Sequence, residues 1–173
     1  MKIFYSGSFN PWHDGHSKVA LDIKRRFGVS PIVELNFNAS ECTGKGSVTG
    51  DEVIKRFKVM PDYRKIATPF PLFTDKAVYL RQLLNIDYDK KIWFACGSDT
   101  IERLDDWLSL NNGQEKFLAC NFGMIVYPRF RKEIIEIKTT EALKHRVIIV
   151  SNFEPLEISS TEIRNANKVK TIA

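Results

Sequence analysis

Short apolar runs alternate with segments of helical period along most of the chain, and this alternation constrains the fold more than any other feature. Lys2–Ser6, Pro31–Asn38, Lys91–Cys96, Phe122–Tyr127 and Arg146–Ser151 read as strands. Ile66–Phe73, interrupted by Pro69 and Pro71, reads as a short edge strand or an extended segment. Between them the spacing predicts helices over Ser17–Phe27, closed by Gly28 at a C-cap, and over Asp51–Met60, stopped by Pro61. A third runs from a Thr74 cap to about Leu84, with Ala77, Leu80, Leu83 and Leu84 as its apolar stripe. Ile101–Leu110, Arg131–Leu143 and a short segment from Ser159 complete the set. Consecutive strands separated by helices pair in parallel through right-handed crossovers. The unbroken run Ile92-Trp93-Phe94-Ala95 marks a central strand buried on both faces. The expected class is α/β, a doubly wound parallel sheet flanked by helices. At 173 residues it fits one domain, over 1–173.

The first strand runs into Gly7-Ser8-Phe9-Asn10-Pro11-Trp12-His13-Asp14-Gly15-His16, and a helix follows at once. In an α/β sheet such a turn lies at the carboxyl end of a strand, where ligands bind. The helix start behind it offers backbone N–H groups and a positive dipole end, which suit phosphate. Gly7 and Gly15 let backbone approach a ligand, and His13 and His16, three residues apart, can face one side.

A second constellation stands near the other end, Ile158-Ser159-Ser160-Thr161-Glu162-Ile163-Arg164. Ser159 with Glu162 three residues on is a capping box and fixes a helix start. Ser160 and Thr161 then occupy first-turn positions whose N–H groups lack intrahelical partners, and Arg164 follows as a fork suited to phosphate oxygens. On their own these residues read either as a cap or as one jaw of a phosphate site.

Composition removes several classes. Net charge is +5, but Lys and Arg are scattered, with no long basic run and no basic-aromatic interleaving, so no nucleic-acid partner is expected. No apolar stretch is long enough to span a membrane, and the first residues carry no secretory h-region. Three widely spaced cysteines, Cys42, Cys96 and Cys120, form neither a disulfide framework nor a zinc pattern. The expectation is a cytoplasmic protein, with Cys96 and Cys120 as small core residues. A homo-oligomer is compatible with this composition. The polar stretch from Asn38 to Gly50 is long for a connection in a compact domain and therefore a functional candidate. Its Gly44-Lys45 pair is not a P-loop, because Ala39 and Gly46 stand where Gly and Ser/Thr belong.

The Gly7–His16 block resembles the signature turn of the nucleotidylyltransferase superfamily. The Ile158–Arg164 block is similar to that superfamily's second signature in its nicotinamide or nicotinate mononucleotide adenylyltransferase branch. Phe94-Ala95-Cys96-Gly97-Ser98-Asp99-Thr100, followed by Trp107, resembles the branch's strand-end glycine-aspartate turn and nearby aromatic. The blocks keep the family's order and span Gly7 to Arg164. Asn38–Met60 and Thr68–Lys76 are similar in layout to a cytidylyltransferase-like subgroup.

The resemblance implies a Rossmann-like sheet with a short C-terminal helix completing a nucleotide site. It implies an enzyme of NAD biosynthesis that transfers the adenylyl group of ATP to a pyridine mononucleotide, with Mg²⁺ carried by ATP and no metal ligands on the protein. His13, His16 and Arg164 would be catalytic. Gly7, Ser8, Phe9, Gly15, Gly97, Asp99, Ser159, Ser160 and Thr161 would bind ATP and its phosphates. Lys45, Lys76 and Trp107 are weaker substrate-binding candidates: a solvated loop lysine, a helix-start cation and a core anchor are the competing readings. A sister transferase using CTP, or another acceptor such as a phosphoalcohol or phosphopantetheine, and a non-catalytic nucleotide sensor are the alternatives. A tRNA synthetase fragment is disfavoured, since nothing extends the chain for RNA binding.

Overall fold

A computed structural model describes residues 1–37, 48–101, 104, 108, 112–135, 144–156 and 158–172. Six parallel strands, β1 (Lys2–Gly7), β2 (Ile32–Asn36), β3 (Lys65–Thr68), β4 (Ile92–Gly97), β5 (Phe122–Tyr127) and β6 (Val147–Ile149), form one sheet in the order β3-β2-β1-β4-β5-β6. This is the doubly wound Rossmann order, whose reversal between β1 and β4 opens a crevice at the strands' carboxyl ends. The helices among the described residues include α1 (Asp14–Phe27), α2 (Gly50–Val59), α3 (Phe73–Leu83), α4 (Ser98–Ile101), α5 (Gly113–Ala119) and α6 (Ser160–Ile172).

Alternation of side chains along each strand divides the core in two. One face packs Phe4, Ile32, Phe94 and Phe122 against Ala77 and Leu80 of α3 and Phe117 of α5. The other packs Ile3, Tyr5, Val33 and Ile125 against Val19 and Ile23 of α1 and Val53 of α2. Cys96 and Cys120 are buried free thiols in the first of these, as expected of small apolar residues. Burial pushes the Cys96 thiol up to about 12.

At the amino end of the sheet one side chain ties several loops together. Arg81, 1% exposed, donates to the carbonyls of Asp87 (2.6 Å), Lys90 (2.9 Å), Cys120 (3.0 Å) and Asn121 (3.0 Å), with a longer contact to Ile86 at 3.5 Å. The end of α3, the 86–90 connection and the entry to β5 thus share one guanidinium.

Several expectations shift. Helix α1 begins at Asp14 rather than Ser17, because His13 already occupies the N-cap with extended backbone. Leu72, not Thr74, precedes α3. The turn expected at Gly97–Thr100 is already helical from Ser98. Helix α5 has no counterpart in the sequence reading; at seven residues, with Phe117 its buried anchor, it is too short to show a period. Residues 131–135 of the helix expected over Arg131–Leu143 are non-helical, and 136–143 lie outside the described residues. The Glu133 carboxylate accepts from the Arg129 and Phe130 N–H groups, and Lys132 takes φ 57°, so a turn replaces the helix start.

Candidate active site

The turn after β1 folds around two histidines. His13 and His16 stack with ring centroids 3.7 Å apart, and the His13 backbone N–H donates to His16 Nδ1 at 3.2 Å. Accepting at Nδ1 places the ring proton of neutral His16 on Nε2. Phe9, Trp12 and Tyr5 surround that ring at centroid distances of 5.0, 5.3 and 6.3 Å. Burial, the neighbouring His13 and the Arg129 guanidinium lower His16 to about 3. His13 is also lowered, by burial and then Arg129, and its buried Nδ1 has no partner. Both imidazoles are therefore neutral near pH 7. Trp12 packs behind His16 and donates to Ser17 Oγ at 2.8 Å, and it does not wall the cleft.

The glycines make room for side chains. A Cβ on Gly7 would meet the Phe9 ring at 2.8 Å, and one on Gly15 the His13 ring at 3.0 Å. Phe9 itself is buried at φ 44°, so only its backbone is left for a ligand.

The C-terminal helix locks onto this turn. Ser160 Oγ donates to the Pro11 carbonyl at 3.0 Å; Arg164 donates to the Asn10 carbonyl and to Thr161 Oγ1, the latter at 2.9 Å. The capping box is made: Glu162 accepts from the Ser159 N–H and hydroxyl at 2.9 Å, and Ser159 Oγ accepts from the Glu162 N–H at 3.1 Å. These bonds hold the Glu162 carboxyl below its usual range.

On the β4 side Asp99 takes a bidentate pair from Arg129, Nε at 2.9 Å and Nη2 at 2.8 Å. A Cβ on Gly97 would sit 2.6 Å from Asp99 Oδ1 and 2.8 Å from Arg129 Nε, so glycine is what lets this pair form. Burial acts to lower the Arg129 pKa, but Asp99 outweighs it and the net direction is up. On the β2 side stands Lys76, the cation near the start of α3. It is 3% exposed and pairs with the fully buried Glu34 at 2.9 Å.

His13, His16, Asp99, Arg129, Ser160, Arg164 and Lys76 line one cleft of about 560 Å³ at the carboxyl ends of the central strands. Of the fifteen residues singled out above, His13, His16, Arg164, Gly7, Ser8, Phe9, Gly15, Gly97, Asp99, Ser159, Ser160, Thr161 and Lys76 line it. Lys45 and Trp107 lie outside the described residues. A concavity of about 550 Å³ at the amino ends, lined by Met1, Lys24, Asp62 and Arg64 among others, brings none of them together. Sequence reasoning missed Arg129 and Arg56, which also line the cleft. Arg129 stands two residues past the carboxyl end of β5, a ligand-binding position in an α/β sheet. Arg56 looks like half of a surface i,i+4 pair with Glu52, at 3.1 Å, yet also donates to the Ser8 carbonyl at 3.0 Å.

The cleft's cations differ in what holds them. Arg56, Lys76 and Arg129 each have a carboxylate partner, whereas Arg164 is held by a carbonyl and a hydroxyl, leaving its charge uncompensated by these contacts. With neutral imidazole donors beside it, this geometry suits an anion with several oxygens. Among the described residues no three His, Cys, Asp or Glu side chains are placed to share a metal ion. Among them also, no helix is long and apolar enough to cross a membrane.

Comparison with known proteins agrees with the geometry. A probable nicotinate-nucleotide adenylyltransferase of Fusobacterium nucleatum subsp. nucleatum is 29% identical, over 98% of this chain and 89% of that protein. One of Clostridium botulinum, strain Hall, is 25% identical over 96% and 87%. The cytidylyltransferase-like family model matches residues 4–166, from β1 into the C-terminal helix. The match takes in both histidines and Arg164, and the chain belongs to the cytidylyltransferase-like family of nucleotidyltransferases.

Proposed function

We propose that the protein transfers the adenylyl group of ATP to nicotinate or nicotinamide mononucleotide, releasing pyrophosphate. The observation that carries this reading is the stacked, neutral His13–His16 pair under a C-terminal helix whose Arg164 is anchored to the same turn. The acceptor's phosphate monoester has a second pKa of about 6 and is mostly ionised at pH 7, so it attacks without a general base. Its oxygen bonds to the α-phosphorus of ATP as the bond from that phosphorus to the bridging oxygen breaks, and pyrophosphate leaves with the electron pair.

The protein's part is positioning and charge. His16, its Nδ1 already accepting a hydrogen bond, presents an Nε2–H donor and cannot take a proton there. Arg164, with Ser159, Ser160 and Thr161, holds the departing pyrophosphate. Backbone N–H groups of Ser8 and Phe9 meet phosphate oxygens, and Gly97 and Asp99 meet the ribose. Mg²⁺ belongs to the ATP substrate, which brings it in with most of its water shell. The relatives named as probable nicotinate-nucleotide adenylyltransferases support this reading over other phosphate acceptors.

Purified protein given Mg²⁺, either ATP or CTP, and a panel of phosphate acceptors is expected to release pyrophosphate fastest with ATP and a pyridine mononucleotide. Faster release with CTP, or with a phosphoalcohol or phosphopantetheine, would replace this reading by the sister-transferase one. ATP binding without release on any acceptor would leave a sensor.

Gly97→Ala tests the nucleotide half separately. The new methyl displaces the Asp99–Arg129 pair, which it would otherwise contact at 2.6 and 2.8 Å. The KM for ATP should rise about tenfold while the acceptor KM moves little. Equal rises in both would remove Asp99 from the ribose.

A further inference from the structure

Among the described residues a single polar contact orients the His16 ring. That contact, from the His13 N–H to Nδ1, is 3.2 Å, at the long end for a hydrogen bond. The second torsion of a histidine is broad and two-fold, so one such bond is a weak constraint. A half-turn of the ring would exchange Nε2–H for Cε1–H and remove the donor. Packing has to supply the rest. Phe9 and Tyr5 meet the ring edge-on, at 83° and 61°, His13 stacks on it at 26°, and Trp12 lies against it tilted by 46°.

Trp12 is the member of this set with no other task in view. Phe9 and Tyr5 are buried core residues, and His13 faces the cleft, whereas Trp12 is half-buried and does not line it. It is nevertheless held from several sides. Its N–H donates to Ser17 Oγ at 2.8 Å, and Ser17 follows His16 directly on α1, so the indole is tied to the helical turn that carries the histidine. Tyr63, just before β3, backs it at a centroid distance of 5.8 Å, and Phe9 and Tyr5 pack on it at 5.1 and 6.1 Å. The anchor fixes the torsions that would let a half-buried indole swing into solvent.

We propose that Trp12 is a positioning residue for the reaction: anchored by Ser17 and backed by Tyr63, it holds the His16 ring with Nδ1 on the His13 N–H and keeps water from that nitrogen. A donor aimed at a transition state needs neighbours whose own side chains are locked, and Trp12 is such a neighbour. The proposal rests on the role given to His16 above. It carries a consequence for protonation as well. The titratable and charged groups around the ring are His13 at the helix cap, Tyr5 from β1 and Arg129 beyond β5; Asp14 faces His13, and Tyr63 stands behind the indole. A substitution at Trp12 changes none of these charges. It admits water to the ring, and hydration returns an imidazole toward its ordinary range.

The test compares wild type, Trp12→Ala and Trp12→Phe by steady-state kinetics and by nitrogen-15 NMR of the histidine side chains, which separates the two neutral tautomers and the charged form. In wild type His16 should stay neutral, with its proton on Nε2, from about pH 5 to 8. In Trp12→Ala it should titrate between about pH 5 and 6.5, and kcat should fall by about tenfold or more while the KM for ATP moves little. Trp12→Phe restores a ring without the anchor and should recover most of both. If Trp12→Ala fails to fold, Trp12→Leu, apolar but not flat, takes its place with the same expectations. A ring that only fills space predicts a lower Tm with His16 and kcat as in wild type, which would overturn the proposal. So would a fall in kcat with the His16 tautomer and titration unmoved. If wild type turns over no mononucleotide, the transfer reading fails, and the NMR comparison alone still decides whether Trp12 sets the ring.

Discussion

Replacing His16 by alanine is expected to lower kcat by about 100-fold or more with little change in the KM for ATP, the size of effect seen when one preorganised donor to a transition-state oxygen is lost. His16 makes few ground-state demands on the nucleotide, which other cleft residues hold, so binding should survive. Steady-state kinetics on a folded variant decides it; unchanged turnover would remove His16 from the reaction. The pH profile separates a donor from a base. His16 is lowered to about 3, so it contributes no ionisation between pH 5 and 8. The acid limb of kcat should instead fall near pH 6, where the acceptor phosphate takes up its second proton. The same shift predicts a stability trend. Unfolded His16 binds a proton near pH 6.5 and folded His16 does not until about 3, so the unfolded state holds more protons in between. Stability is unaffected above about 6.5, falls as the pH drops below it, and levels off near 3. In His16→Ala that slope should shrink, as read from urea midpoints at several pH values.

The largest effect on stability is expected far from the cleft, at Arg81. Arg81→Met keeps most of the side-chain volume but leaves the carbonyls of Asp87, Lys90, Cys120 and Asn121 without their shared donor. Hydrogen bonds from a charged group contribute about 1.5 to 3 kcal/mol each and are not additive here, because exposed carbonyls regain water. A loss of about 3 kcal/mol or more is expected, measured as a lower urea midpoint with an unchanged slope. Arg81→Lys should recover only part of it, since an ammonium cannot fork to four carbonyls in different directions. A midpoint shift under about 0.5 kcal/mol for Arg81→Met would mean the loops hold themselves. Turnover at low denaturant should be nearly normal in this variant, in contrast to His16→Ala.

The two variants mark what could be read in advance. The His13–His16 turn and the Ser159–Glu162 capping box were legible because each is local: a glycine turn between strand and helix, and a cap satisfied within four residues. The strands were legible because burial on both faces leaves an unbroken apolar run, as in Ile92–Ala95. Arg81 was not legible. Its partners lie 5 to 40 residues away and are backbone carbonyls, which have no sequence signature.

The same distinction divides the cleft. By itself the sequence determined an α/β sheet, two phosphate-suited helix starts and the residues at them, since local pattern and end-of-helix chemistry need no partner from elsewhere. Only the tertiary structure decided the charges those residues carry. Burial, for His16 against Phe9 and Trp12, and the approach of Arg129 keep the histidines neutral. Glu34 cancels Lys76 across 42 residues, Asp99 is taken by Arg129 across 30, and Arg164 alone among these cations rests on neutral acceptors. Charge state depends on desolvation and on which group lies within a few ångströms, and the fold sets both.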